Sequence, residues 1–190
     1  MNNNTTLTSS IDGFFNALRS GVFSTEDTTE VDQDVAINDI LTSLRDIKKR
    51  NARVFLIGNG GSAAIVSHIL TDLRNVGGIC GITLHEPAPL TCFTNDYGYE
   101  EAYSRQLDSF AGDGDLLIAI SSSGRSQNIL NAVEVARKRN MKVMTLSGFD
   151  ASNPLRKMGN WNYWLDSHMY GQVEVGHLFL LHHVMDNLGK

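Results

Sequence analysis

Two short segments concentrate the residues able to do chemistry. Gly58-Asn59-Gly60-Gly61-Ser62 ends an apolar run and opens a helix-like pattern. Glycines let the backbone approach a ligand closely, and the free amides and positive dipole end of a starting helix favour an anion. Ser121-Ser122-Ser123-Gly124-Arg125-Ser126 repeats the arrangement with four serine hydroxyls and one glycine. Hydroxyls and amides can satisfy several phosphate oxygens without a lysine. Taken singly, the first loop also reads as a tight strand-to-helix turn capped by Ser62, and the second as an ordinary polar turn. Together they suit the two ends of one phosphorylated small metabolite.

Acids and histidines form a second group. His68 and Asp72 are four residues apart and share a helix face. Such a pair can be an acid/base couple, two metal ligands or a surface contact. Near the C-terminus stand Glu174, His177, His182 and His183. Glu174, His177 and Leu181 fall on one side of a helix, and His182 lies about 80° of rotation from Glu174. Zinc accepts imidazole nitrogen and carboxylate oxygen in tetrahedral sets, and His68, Asp72, Glu174 and His182 would supply two of each if the helices meet. Spacing alone leaves that meeting open.

These groups need elements to position them. Apolar runs at Val54–Ile57, Ile82–Leu84, Leu116–Ile120, Val143–Leu146 and Tyr163–Leu165 read as strands, with helices near 62–74, 99–110, 126–140 and 173–188. That alternation predicts an α/β fold with a mostly parallel sheet covered on both faces, and ligands then bind at the carboxyl edge where both loops emerge. From Asp32 to Arg50, Val35, Ile37, Ile40, Leu41, Leu44 and Ile47 recur at threes and fours, a packing helix with a basic last turn. The first ten residues are polar and read as mobile, Ile11 to Ser20 as a short amphipathic helix, and Ser24 to Glu30 as an acidic, Thr-rich stretch. The chain thus divides into a flexible N-terminus with a short helix at 1–31 and one globular domain at 32–190.

Composition narrows the function classes. At 190 residues the chain suits one core, and a net charge of −5 with one basic cluster, Lys48-Lys49-Arg50, does not resemble a nucleic-acid footprint. No apolar stretch reaches the roughly 18 residues of a membrane span, and MNNNTTLTSS has no signal-peptide character, so a soluble cytoplasmic protein is expected. Cys80 and Cys92 lack any ligand-like pattern and are read as reduced thiols without chemistry. Neither loop carries the Gly-Lys-Ser/Thr of a P-loop. Gly58-x-Gly60-x-x-Ala63 also fits a dinucleotide fingerprint with Glu86 as the ribose acid, but a dehydrogenase has no need of the second, hydroxyl-rich loop.

With "GNGGSAA", the following Ser-His and Asp-Leu, "NDYGYEEAYSRQL", "GDLLIAISSSGRSQNIL", "MKVMTLSG" and a histidine-bearing last helix, residues 50 to 188 resemble the sugar isomerase domain. Within that superfamily the sequence is most similar to the phosphoheptose isomerases. The resemblance implies a three-layer sandwich with a five-stranded parallel flavodoxin-like sheet plus N-terminal helices, a homotetramer with sites at subunit boundaries, no organic cofactor, and zinc in the site. It also implies conversion of sedoheptulose 7-phosphate into D-glycero-D-manno-heptose 7-phosphate through an enediol.

Carried onto this sequence, the resemblance makes Asn59, Gly60, Ser62, Asp96, Ser121, Ser122, Ser123, Ser126 and Glu174 the substrate contacts. It makes Asp72 and His182 the catalytic pair and His68, Asp72, Glu174 and His182 the metal set. Three positions depart from the family pattern: Asp72 stands for a glutamate, Glu174 for a glutamine and Ile65 for an aspartate. Glutamate to aspartate withdraws the carboxylate by one methylene, and a displacement near 1 Å can cost on the order of 100-fold in rate. Glutamine to glutamate adds a negative charge that a bound cation would offset. A non-catalytic sugar-phosphate-binding or protein-binding module, and an isomerase of another sugar phosphate, are the alternatives. His85, Glu86, His168 and Arg125 carry no assigned role, although Arg125 could add charge beside Ser126.

Overall fold

Continuous β-branched and leucine runs fit strands buried on both faces, and that is how the central segments fold. The computed structural model describes residues 6–189. In chain order it contains α1 (Leu7–Arg19), β1 (Val22–Ser24), β2 (Glu30–Val31), α2 (Gln33–Arg50), β3 (Arg53–Gly58), α3 (Gly61–Asn75) and β4 (Cys80–Thr83). Then follow α4 (Pro87–Tyr97), α5 (Ser104–Phe110), β5 (Leu116–Ser121), α6 (Gln127–Lys138), β6 (Lys142–Ser147), β7 (Trp161–Trp164) and α7 (Tyr170–Leu188). Short 3-10 segments lie at Tyr99–Glu101 and Pro154–Lys157.

The sheet order is β2-β1-β7-β6-β5-β3-β4. The five expected strands run parallel from β7 to β4. The expected five-stranded sheet is nevertheless extended to seven, because β1 and β2 add antiparallel to the β7 edge. Phe23 anchors them, buried with its ring 4.9 Å from that of Tyr163. Strands of three and two residues are too short to show an alternation in sequence.

Alternate strand residues feed two cores. Val54, Leu56, Leu116, Ile118, Met144 and Leu146 pack under α2, α3 and α7, while Phe55, Ile57, Leu117, Ala119 and Val143 pack under α5 and α6. α2 begins at Asp32, whose carboxylate accepts from the amides of Asp34 (3.0 Å) and Val35 (3.2 Å), and it ends at Asn51 in the left-handed region. Val35, expected in the buried stripe of this helix, is instead 59% exposed. The helix expected near 99–110 is also corrected. Glu86 caps α4 by accepting from the Ala88 amide at 2.9 Å, Pro87 occupies the first turn where a missing N–H is harmless, and Gly98 breaks the run before α5. The helix expected over 11–20 spans Leu7–Arg19, while residues 1–5 lie outside the described residues.

Candidate active site

β3 ends at Gly58 and the chain enters α3 through Asn59 and Gly60. Gly60 adopts φ 53° and ψ −121°, a backbone state that suits glycine, and it is the cap residue of α3 with no side-chain cap bond. The first amides of α3 are thereby left to an incoming anion. Ser62, expected as the alternative cap, lies one residue into the helix and is buried.

The second loop is as tight. The Gly124 N–H donates to the Ser121 carbonyl at 2.8 Å with Gly124 at φ 61°, which folds the serines back over the sheet edge. Ser121 Oγ donates to Ser126 Oγ at 3.1 Å, and Ser122 Oγ is buried without a partner. A buried hydroxyl without a partner is costly, and a ligand oxygen would relieve it. Asn59, Gly60, Ser62, Ser121, Ser122, Ser123, Ser126 and Glu174 together line one cavity of about 250 Å³, joined by Tyr170 at the start of α7. Sequence reasoning missed Tyr170, whose aromatic type gave no phosphate signal.

Farther along the same two helices, His68 and Asp72 of α3 meet His182 of α7. One ligand atom from each of the three lies within 4.8 Å of the others. His182 Nδ1 is 3.4 Å from Asp72 Oδ2, and the two imidazole rings are 5.0 Å apart, edge to face. The side chains of His182 and Asp72 are 39% and 26% exposed, so the cluster is open to a ligand.

Within this chain Glu174 lies apart from this group. It precedes His182 by eight residues, roughly 12 Å of helix rise, so a small rotation between the two does not make them neighbours. Its carboxylate lies instead on Gly61, where an added Cβ would stand 2.5 Å from Glu174 Cδ and Oε1. Glu174 thus brings an acid to the wall of the hydroxyl cavity. Ile65, at the position of the family aspartate, is buried in the core that α3 shares with α7.

The remaining candidates are placed as follows. Asp96 lies on α4 and does not line the serine cavity. Its carboxylate accepts from Cys92 Sγ at 3.6 Å and from the side-chain Nδ2 of Asn95 at 3.0 Å. The charge of Asp96 raises the Cys92 thiol pKa, which fits a cysteine without chemistry. Arg125 turns away to Asp150 at 2.9 Å. Hydrogen bonds from the Ser152 amide and hydroxyl, then Arg125, hold Asp150 down to about 2. Glu86 is spent on its helix cap, which removes the ribose acid of the dinucleotide alternative. His168 stacks on Phe149, and burial lowers the pKa of His85. His177 is fully buried with Nε2 3.0 Å from the Ser147 carbonyl, and burial pushes it down to about 4. It is a neutral core imidazole.

Comparison with known proteins gives the family. The SIS domain family matches residues 20–148. A phosphoheptose isomerase of Campylobacter concisus is 34% identical over 145 residues, covering 72% of this chain and 75% of that protein. One from Aeromonas hydrophila is 39% identical over 112 residues, but the match spans only 58% of that protein's length. The structure of a phosphoheptose isomerase from Francisella tularensis superposes with a TM-score of 0.83 at 24% identity, covering 99% of this chain and 98% of that one, a likeness of fold. The chain belongs to the SIS domain family and, within it, to the phosphoheptose isomerase family.

Proposed function

We propose that the protein interconverts sedoheptulose 7-phosphate and D-glycero-D-manno-heptose 7-phosphate. The observation that carries this is the His68–Asp72–His182 cluster, standing on the two helices whose first turns border the serine cavity. The serine and glycine loops hold the phosphate, where binding energy remote from the reacting carbons can be used for orientation. Asp72 takes the proton from the carbon beside the carbonyl and returns it to the neighbouring carbon, while His182 moves a proton between the two oxygens, so an enediol forms and collapses with no net change of atoms. Two imidazoles and a carboxylate are a donor set that zinc accepts with one position open, so the residues present fit the metal. His68, Asp72 and His182 would hold it, and it would polarise the carbonyl.

A homotetramer and a cytoplasmic location belong to the same proposal. Leu7, Ile11 and Phe15 on α1 and Val175 and Phe179 on α7 are large exposed apolar side chains, a surface that a second copy would cover. Among the described residues no helix is long and apolar enough to cross a membrane.

The test is incubation with sedoheptulose 7-phosphate, with and without zinc, following aldose formation by NMR. Turnover that Asp72→Asn abolishes is the expected result. Saturable binding without turnover would replace the isomerase by a sugar-phosphate-binding module, and no binding would remove the phosphate site itself.

A further inference from the structure

Asn59 is held by a chain of hydrogen bonds whose direction can be worked out from one end. The Ile129 N–H, which can only donate, lies 3.0 Å from Asn128 Oδ1, so that atom is the acceptor. Asn59 Nδ2 therefore donates to the same oxygen at 2.9 Å, and Asn128 Nδ2 donates back to Asn59 Oδ1 at 2.9 Å. Tyr99 Oη completes the set, donating to Asn59 Oδ1 at 2.7 Å. Both lone pairs of Asn59 Oδ1 and one of its two N–H groups are then in use. Asn59 keeps a single N–H and no acceptor.

Asn59 and Gly60 form a wall shared by the serine cavity and a second cavity of about 340 Å³ that Tyr99 also lines. Asn128 is buried in the first turn of α6, two residues after Ser126, so the amide pair ties the glycine loop to the serine loop. Tyr99 adds the segment following α4 to the same tie.

We propose that Tyr99 and Asn128 are positioning residues that fix the Asn59 amide so that it offers a sugar-phosphate ligand one N–H donor and no acceptor. The ligand atom opposite is an oxygen that accepts a hydrogen bond. This inference rests on the sugar-phosphate reading of the serine cavity.

The experiment titrates sedoheptulose 7-phosphate by calorimetry into the native chain, Tyr99→Phe, Asn59→Ala and the double variant, with Tm recorded for each. Tyr99 is 48% exposed, so removing its hydroxyl leaves the fold intact. Losing one neutral hydrogen bond should weaken binding about fivefold in the native background. Because Tyr99 acts through Asn59, the same change should have almost no effect in Asn59→Ala. Equal weakening in both backgrounds, or none in the native chain, overturns the inference. A second measurement does not depend on the variants folding. On adding the sugar phosphate, one of the two Asn59 side-chain N–H resonances should shift and the one bonded to Asn128 should stay; movement of both or of neither overturns the inference. Absence of saturable binding to the native chain removes the phosphate-site reading and this inference with it.

Discussion

Glu174→Gln should tighten phosphate binding. The Glu174 carboxylate and the serine hydroxyls share a cavity of about 250 Å³. At a separation of about 6 Å two unit charges repel by ~0.7 kcal/mol in water and ~3 kcal/mol at an effective dielectric constant of 20. Replacing the acid by its neutral isostere should therefore raise affinity roughly 3- to 150-fold. Calorimetric titration of inorganic phosphate into chelator-treated protein at low salt measures this directly, and added salt should narrow the difference. Glutamine keeps the contact with Gly61, so Tm should hardly change. Unchanged or weaker phosphate binding at constant Tm would refute the claim that the acid shares the phosphate's space.

Three further outcomes are expected. His177, at about 4 in the folded chain against its ordinary 6.5, stays neutral while an unfolded chain takes up a proton. Stability is then complete above about pH 6.5 and falls toward pH 4 by roughly 3 kcal/mol at 1.36 kcal/mol per pH unit. Urea midpoints across that range should show it, and a folded His177→Gln variant should flatten the slope. Gly124→Ala places a methyl in the left-handed region and into the Asn153 side chain, so it should lower stability by about 2 kcal/mol and weaken sugar-phosphate binding; a native-like Tm would contradict this. Asp72→Asn removes one of three clustered donors and should weaken zinc binding at least about tenfold by calorimetry, whereas Glu174→Gln should leave it within about twofold.

The five parallel strands and the glycine and serine loops that follow two of them were legible because their signals are local. An apolar run of four to six residues followed by glycines or serines and then a helical period specifies a strand, a turn and a helix start with no knowledge of distant contacts. β1 and β2 were not legible, since their pairing depends on Phe23 meeting Tyr163 across the chain, a contact no local pattern encodes. The α4 segment was hidden by its two prolines, which read as loop punctuation but occupy a first helical turn. Asn128 carried a faint signal, two residues beyond Ser126 in the same motif, whereas the role of Tyr99 required the folded distance to Asn59.

The distance between Glu174 and His182 within one chain has a simple geometric origin. A helical projection keeps angle and discards height, and Glu174 and His182 differ by about 80° but also by roughly 12 Å along α7. His68 and Asp72 differ by four residues, roughly 6 Å of rise, which two side chains can close around one ligand atom of His182. Eight residues exceed that reach. α7 therefore carries an acid to the wall of the serine cavity from its first turns and an imidazole to His68 and Asp72 from its later ones. Their separation within one chain follows from counting residues along the helix.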